Sequence, residues 1–395
     1  MTTNLRFASR MEKLSFSASL ASIRKARELR LAGITVTDFG SKFDTPAHVK
    51  EAAAKFLLSS AAAAYADPRG LSELREAITR KLARENALKV DPETEITVSG
   101  GGKQGILATL LALVGTGDEV IIEDPGWLSF EPMVRISGAT PVPLPLDEKN
   151  GFRFSIDDLK KRITDKTRLL ILCNPHNPTG RLLNRDELAE IARVVLERDL
   201  LVIVDEAYEH FVYDGRPFVS FATIENMRDR TITVQTASKT FNMFGWRVGW
   251  VIASPAISAR IQMISSHSIT CVNSVAQIGA AAALDGSIVQ GTLTLPELVR
   301  NYQAQRDAMV AGLNAIPQVS CTMPEGAYFV FPDISRTGMS SQDLREKLYD
   351  EARIVSLPGP VFGARGEGHL RLVFNAPLPD IQAGVAIMQK FFRTL

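Results

Sequence analysis

Short apolar runs alternate with longer helical patterns through the middle of the chain, from about residue 95 to 255. Six runs are rich in Val, Ile and Leu and show no polar alternation: EITV (95–98), EVIIE (119–123), RLLILC (168–173), LLVIVD (200–205), TITVQT (231–236) and GWVIA (249–253). Such runs are typical of strands covered on both faces. Between two of them, residues 184–199 have apolar positions at helical spacing. The pattern therefore predicts an α/β fold with a mostly parallel sheet.

The pattern changes after about residue 285. A long amphipathic stretch at 295–315 precedes AYFVFPD (327–333), LREKLYDEARI (344–354) and HLRLVF (369–374). This order predicts a smaller α+β domain, onto which the N-terminal residues fold back. We place a large domain at 45–285 and assign 1–44 and 286–395 to the small domain with an N-terminal arm.

Composition and charge narrow the possible functions. The 45 basic and 44 acidic residues give a net charge of +1, so no nucleic-acid or membrane partner is indicated. The three cysteines, at 173, 271 and 321, form no CxxC pair, which favours reduced thiols in the cytoplasm. The apolar run at 107–115 is too short to span a bilayer and predicts a buried helix. We assign no residue to a metal site.

Polar and glycine residues follow the predicted strands, at the sheet edge where ligands bind in open α/β folds. They are Ser-Gly-Gly-Gly-Lys at 99–103, the segment 174–180 with Asn177, then Asp205, Glu206 and Tyr208, then Ala237, Ser238 and Lys239, and finally Arg247.

Each of these features alone has a simpler explanation. The glycines could form an ordinary turn, Lys239 could be a surface cation, and Asp205 could be a helix N-cap. Together they fit a single chemical role, because glycines at a helix start can hold a phosphate and a partly desolvated lysine can react with a carbonyl. A buried acid such as Asp205 suits a protonated pyridine nitrogen.

At these segments the chain resembles class I/II, fold-type I aminotransferases. The resemblance rests on NPHNPTG (174–180), DEAYEHFVYDG (205–215), ASKTFNMFGWRVGW (237–250) and HLRLVF (369–374). YADPRGLSELREAI (65–78) and TVSGGGKQGI (97–106) are similar to the prokaryotic aspartate and aspartate/prephenate branch. The resemblance extends from about residue 10 to the C-terminus. It implies a seven-stranded, mostly parallel sheet, pyridoxal 5'-phosphate (PLP) as cofactor and a homodimer.

The resemblance also implies a role for each matching residue. Lys239 carries PLP covalently and moves the proton, Asp205 pairs with the ring nitrogen, and Tyr208 belongs to the catalytic set. The implied cofactor-binding set is Gly101, Gly102, Lys103, Trp127, Asn177, Asp205, Tyr208, Thr236, Ser238, Lys239, Arg247 and, across the dimer, Tyr65 of the partner subunit. The implied substrate-binding set is Arg371 for the α-carboxylate, Lys103 for a distal carboxylate, and Gly40, Trp127 and Asn177.

Several residues retain a structural interpretation beside the implied one. Trp127 could be core, Arg371 an edge charge, Tyr65 an ordinary surface tyrosine and Lys103 a solvent-facing cation. His176 and His267 occupy no catalytic position of the family, and we interpret both as structural or pocket-lining.

The chain also departs from the family pattern near the substrate. The segment Gly40–Pro46 is one residue short and brings in Lys42, Gly126 replaces a frequent aromatic residue, and Asp67 replaces a proline. These changes leave the cofactor residues intact and affect the expectation for the substrate.

We therefore expect a transaminase that moves an amino group between an L-amino acid and a 2-oxo acid by ping-pong chemistry. The donor is aspartate or another dicarboxylate, or an aromatic amino acid. The alternative is a PLP enzyme of the same fold that catalyses elimination, cyclisation or oxidation of an amino acid. A non-catalytic, DNA-binding PLP module is disfavoured because no helix-turn-helix pattern or basic patch precedes the fold.

Overall fold

The computed structural model describes residues 6–395, and its centre is a seven-stranded sheet. The strands are β1 (Ile96–Ser99), β2 (Glu119–Asp124), β3 (Thr140–Pro145), β4 (Thr167–Cys173), β5 (Leu201–Asp205), β6 (Thr231–Thr236) and β7 (Gly249–Ile252). Their order is β1-β7-β6-β5-β4-β2-β3. β7 runs antiparallel to β1 and β6, and every other pair is parallel. The six predicted strands and the mostly parallel sheet are confirmed.

The sequence analysis missed β3, which reads TPVPLP. Prolines are rare in strands because they cannot donate to the ladder, and they occur mainly at sheet edges. Here Pro141, Pro143 and Pro145 recur at every second position, so their missing N–H groups all fall on one side of the strand. β3 pairs only with β2. The prolines thus fit an edge strand and prevent further pairing at that edge.

Helices cover both faces of the central sheet. They are α2 (Ala47–Leu57), α3 (Ser72–Glu85), α4 (Gly102–Leu113), α5 (Phe130–Ile136), α6 (Ile156–Arg162), α7 (Arg185–Glu197), α8 (Pro255–Ser268) and α9 (Ser274–Asp285), whereas α1 (Ala18–Leu31) precedes them and lies elsewhere. α7 confirms the helix predicted at 184–199, and Asn184 starts it with a capping box to Glu187. Residues 107–113 of the apolar run belong to α4, whose residues pack against β6, β7 and α8.

A second, three-stranded sheet follows, with the elements α10 (Leu295–Asn314), β10 (Phe329–Val330), α11 (Ser341–Ala352), β11 (Leu357–Pro358), β12 (Leu370–Val373) and α12 (Leu378–Phe392). β12 lies between β10 and β11 and is antiparallel to both. A short hairpin of β8 (Ile288–Gln290) and β9 (Leu293–Thr294) precedes α10.

The N-terminal part of the chain lies against this second sheet. α1 contacts β11, and Thr37 forms a parallel bridge with Ile354. The domain boundaries at 44 and 285 stay a prediction. No helix within the described residues is both long and apolar enough to cross a bilayer.

Candidate active site

A cavity of about 510 Å³ lies beside the carboxyl ends of β4, β5 and β6 and extends to the second sheet. Its position agrees with the rule that ligands bind beyond the carboxyl ends of parallel strands. The residues of the predicted site that line it are Gly40, Trp127, Asn177, Tyr208, Lys239 and Arg371. Segments from distant parts of the chain therefore meet at one cavity.

Lys239 follows β6 and reaches the cavity between two aromatic rings. Its Nζ lies 4.8 Å from the ring centre of Phe244 and 5.7 Å from that of Tyr208. Burial lowers the pKa of Lys239 to about 8; Arg371 acts in the same direction, while Asp205 opposes the shift. The amine is therefore much easier to deprotonate than an ordinary lysine, as a carbonyl-trapping lysine requires.

Asp205 ends β5 and is buried. Its Oδ1 accepts a hydrogen bond of 3.1 Å from the N–H of Ala207. Burial raises the pKa of this carboxyl to about 6, and Lys239 and the Ala207 N–H oppose the rise. Within residues 6–395, Asp205 forms no ion pair. A buried carboxylate without a cation is costly, so the protonated ring nitrogen of PLP is a chemically suitable partner.

The first turn of α4 lies beside an arginine and two hydroxyl groups. Gly101 has φ +85 and precedes α4, and Arg247 Nη2 donates to the carbonyl of Gly100 at 3.2 Å. Thr236 Oγ1 lies 2.8 Å from Ser238 Oγ and accepts the Ser238 N–H at 3.1 Å. Helix N–H groups, hydroxyls and a guanidinium are groups that can bind a phosphate, and we name this set of residues the anion site.

Glycines make this anion site possible. A Cβ on Gly101 would clash with Arg247 Nη2, and one on Gly249 would lie 2.8 Å from the backbone nitrogen of Gly102. A Cβ on Gly102 would contact Val234 at 3.4 Å. The backbone between β1 and α4 therefore approaches β7 and Arg247 as closely as glycine allows.

Arg371 lies on β12 and points its guanidinium between aromatic side chains. Nη1 donates to Asn177 Oδ1 at 3.2 Å, and the group lies 4.7 Å and 4.9 Å from the rings of Phe329 and Phe362. Burial lowers the pKa of Arg371 to about 10. Its Nε is buried and has no hydrogen-bond partner among the described residues. A substrate carboxylate would satisfy this N–H in a two-point contact.

Lys103 and Tyr65, two predicted site residues, do not line the cavity of this chain. Lys103 Nζ lies 5.2 Å from the ring centre of Trp127, and burial together with Arg247 lowers the pKa of its amine. Tyr65 is 88% exposed. Their roles toward a distal carboxylate and a partner's phosphate stay predictions, as does the stacking of Trp127 on a cofactor ring.

The short loop at 40–46 brings Gly40 to the cavity but directs Lys42 elsewhere. Lys42 Nζ forms an ion pair of 2.5 Å with Asp380 and does not line the cavity. The Gly40 N–H donates to Asp38 Oδ1 at 3.1 Å. The loop and the residues before it thus contribute Asp38, Gly40 and Ser41 to the wall. The effect of the short loop on the substrate stays a prediction.

Gly126 and His176 have structural explanations, whereas His267 does not line the cavity. A Cβ on Gly126 would clash with the carbonyl of Glu123, so an aromatic side chain does not fit this backbone. His176 is fully buried, and its Nδ1 lies 2.7 Å from Thr179 Oγ1. Burial lowers the pKa of His176 well below its ordinary value. His267 is exposed in the last turn of α8.

Among the cavity residues that were not singled out from the sequence are Asn242, Phe244, Ser356 and Asn375. Asn242 and Phe244 follow Lys239 by three and five residues, and that proximity was an available signal. Ser356 and Asn375 reach the cavity only because the second sheet packs beside it, so no local pattern reveals them.

Comparisons with known proteins identify the family of the chain. Residues 33–387 match the family model "Aminotransferase class I and II". Aspartate aminotransferase of Pyrococcus abyssi is 39% identical, with 89% of each chain covered. Aromatic-amino-acid aminotransferase 2 of Thermococcus litoralis is 36% identical, with 94% of this chain and 96% of that protein covered. The structure of Thermus thermophilus aspartate aminotransferase with maleate has a TM-score of 0.91 at 32% identity, covering 98% of this chain and 100% of that one. The chain therefore belongs to the class I and II aminotransferases, with the fold-type I architecture that the sequence predicted.

Proposed function

We propose that this aminotransferase binds PLP through Lys239, Asp205 and the anion site around Gly101, and that it transfers amino groups between an L-amino acid and a 2-oxo acid. One observation carries the proposal. An easily deprotonated lysine and Arg371 with an unpartnered Nε line one cavity, and the buried carboxylate of Asp205 lies close enough to that lysine to affect its pKa. The family match supports transamination over the alternative eliminations, cyclisations and oxidations.

We assign the contacts with each part of the cofactor to different residues. Gly101, Gly102, Thr236, Ser238 and Arg247 bind the phosphate. Asp205 would pair with the ring nitrogen and favour its protonated form, Asn177 and Tyr208 would bind the ring oxygen, and Trp127 would pack against the ring. When bound, PLP supplies the electron sink that stabilises negative charge at the substrate α-carbon.

The remaining steps belong to the protein side chains. Arg371 binds the α-carboxylate and thereby fixes the orientation of the α-carbon. Lys239 Nζ accepts the proton of the substrate α-carbon as a general base. It then donates this proton to the carbon atom that is protonated in the next step. The rings of Phe329 and Phe362 flank Arg371 and limit water around the ion pair, which strengthens its electrostatic contacts.

We propose a dicarboxylate such as aspartate as the preferred donor, with Lys103 as the cation for the distal carboxylate. The aspartate aminotransferases among the relatives support this, including the one whose structure contains maleate. An aromatic donor is the second candidate, because Phe244, Tyr328 and Phe329 line the cavity and Lys103 does not. The T. litoralis relative is named for aromatic amino acids.

The visible absorbance of the purified protein tests the cofactor and the reaction together. We expect a yellow band that bleaches with L-aspartate and returns with 2-oxoglutarate. Lys239→Ala should retain PLP but lose turnover, and normal turnover in that variant would exclude the assignment. If aspartate leaves the band unchanged but phenylalanine bleaches it, the aromatic donor is correct. Ammonia release or oxygen uptake without recovery of the band would indicate the alternative chemistries.

A charge-removing variant tests the distal cation. Lys103→Gln should raise the KM for aspartate about tenfold, since one half-buried ion pair with the substrate is lost, and should leave the KM for phenylalanine nearly unchanged. Equal effects on both donors would remove Lys103 from the distal site.

We further propose a homodimer in which Tyr65 of the partner subunit completes the phosphate site. The exposure of Tyr65, together with that of Leu57 and Leu58 nearby, supports this arrangement. A mixture of the Lys239→Ala and Tyr65→Ala variants should regain activity, because one of the two sites in a mixed dimer carries both native residues. No recovery after verified subunit exchange would place Tyr65 outside the partner's site.

We also propose a cytoplasmic location and a division into two domains. The three cysteines are free thiols, which suits the cytoplasm. The units 45–285 and 1–44 plus 286–395 are proposed as the large and small domains, and limited proteolysis that cuts first near residue 285 would support that boundary.

A further inference from the structure

A buried polar cluster lies beside the turn that carries Asp205 and Tyr208. We name it the Lys81 cluster; its members are Lys81, Asn86, Glu206, Glu209, Ser220, Gln235 and Trp250, all buried. None of them lines the proposed active-site cavity. Most of its side chains come from α3, from the 205–209 turn, and from β6 and β7.

The contacts centre on Lys81 and Gln235. Lys81 Nζ forms an ion pair with Glu209 and donates to Asn86 Oδ1 at 2.7 Å and Gln235 Oε1 at 3.1 Å. Gln235 Nε2 donates to Glu206 at 3.1 Å and to Glu209 at 3.0 Å. Each polar end of Gln235 is thus bound, and the network joins α3 to the turn and to β6.

The turn and the strand in this network continue directly into the proposed cofactor site. Glu206 and Glu209 flank Tyr208 in the turn and Glu206 follows Asp205, while Gln235 precedes Thr236 on β6. Successive side chains of an extended segment point to opposite sides. On β6, Gln235 therefore faces the cluster on the side opposite to Thr236. In the turn, Tyr208 lines the cavity, whereas Glu206 and Glu209 do not line it and bind the cluster instead.

The charges of the cluster depend on Lys81. Two glutamates lie within one hydrogen-bonded network, and Lys81 is the cation that contacts Glu209 inside it. Burial and the neighbouring Glu209 raise the pKa of Glu206 to about 8, so Glu206 is mostly protonated at neutral pH. The ammonium of Lys81 and the carboxylate of Glu209 then balance. Glu85 Oε2 also lies 3.8 Å from Lys81 Nζ, but it is paired with His210 Nε2 at 2.9 Å. Removal of Lys81 or Glu209 alone therefore leaves an unpaired buried charge.

We propose that Lys81 is a positioning residue for the cofactor: by pairing with Glu209 and binding Gln235, it fixes the 205–209 turn and the end of β6 in the geometry that PLP requires. The inference deepens the proposed function, since it assumes that Asp205, Tyr208 and Thr236 contact PLP. Lys81 itself lies outside the cavity and acts through these residues.

The test compares Lys81→Met with the double variant Lys81→Met/Glu209→Gln, in which no charge is left unpaired. Arg306→Met is the control, because Arg306 is also a buried cation with paired carboxylates, Asp214 and Asp307, and is 3% exposed. For each protein we would measure unfolding by urea, the dissociation constant of PLP from the apoenzyme, and the pH titration of the yellow absorbance.

Lys81→Met should raise the PLP dissociation constant about tenfold or more, equivalent to about 1.4 kcal/mol. It should also raise the pH midpoint of the yellow absorbance, because an uncompensated negative charge favours protonated neighbours. The double variant should return both values to within about threefold of the native protein. Arg306→Met should lose stability without changing either value.

Two results would overturn the inference. One is native PLP affinity and a native pH titration in Lys81→Met; the other is a double variant as impaired as the single one. If Lys81→Met does not fold, the double variant and Glu209→Gln decide: Glu209→Gln should weaken PLP binding and the double variant should restore it. Absence of PLP binding by the native protein would instead refute the proposed function.

Discussion

The lowered pKa of Lys239 can be measured in the cofactor-free protein. Burial lowers it to about 8 from the ordinary value of 10.5, against the opposing attraction of Asp205. Burial disfavours the ammonium form. The neutral amine therefore becomes the main form of Lys239 as the pH rises through about 8 rather than through 10.5.

The shift has a large effect on reactivity. With a pKa of about 8, roughly 9% of Lys239 is neutral at pH 7, compared with about 0.03% for a lysine of ordinary pKa. The concentration of the reactive amine is therefore raised about 300-fold at pH 7. The difference in the neutral fraction between Lys239 and an ordinary lysine nearly disappears above about pH 10.5, where both amines are largely neutral.

Competitive labelling gives the pKa directly. The apoenzyme is acetylated with a trace of acetic anhydride from about pH 6 to 11, a range that spans both pKa values, with N-acetyl-lysine amide as the internal reference. The Lys239 peptide is then quantified by mass spectrometry. Asp205→Asn should move the midpoint below that of the native protein, because Asp205 favours the ammonium form. Arg371→Gln should move it upward, because the guanidinium disfavours that form.

Either of two results would refute the reasoning. A native midpoint near that of the reference amine would show that the site does not desolvate Lys239. An upward shift in Asp205→Asn would show that the carboxylate does not stabilise the ammonium form of Lys239.

Two further predictions concern the anion site and a buried ion pair. Gly101→Ala should weaken PLP binding about tenfold, because residue 101 has φ +85 and its Cβ would displace Arg247. Gly215→Ala, at φ +66 with open space around it, is the matched control and should bind PLP normally; equal losses would contradict the clash. Arg181→Met should cost about 3–5 kcal/mol in urea unfolding, since it leaves Glu123 buried without its cation. Arg181→Met/Glu123→Gln should recover much of that loss, and a double variant no more stable than the single one would contradict this account.

Local patterns determined most of the fold. Six strands of the central sheet and helix α7 follow from apolar runs and helical spacing, because burial on two faces or on one helical stripe imposes a period on the sequence. The same patterns did not predict β3, because its prolines are as typical of a loop as of an edge strand. Only the pairing of β3 with β2 identifies it as a strand.

The sequence by itself determined the chemical groups of the site, because Asp205, Lys239 and Arg247 stand in segments that resemble those of a known family. Only the tertiary structure decided their environment. It buried Asp205 without a cation among the described residues and bound Arg371 of the second sheet to Asn177. It also directed Lys42 to Asp380. These outcomes depend on contacts between residues far apart in the chain. At such contacts, desolvation and ion pairing set the charge of each side chain. A local sequence pattern contains neither the contacts nor the desolvation.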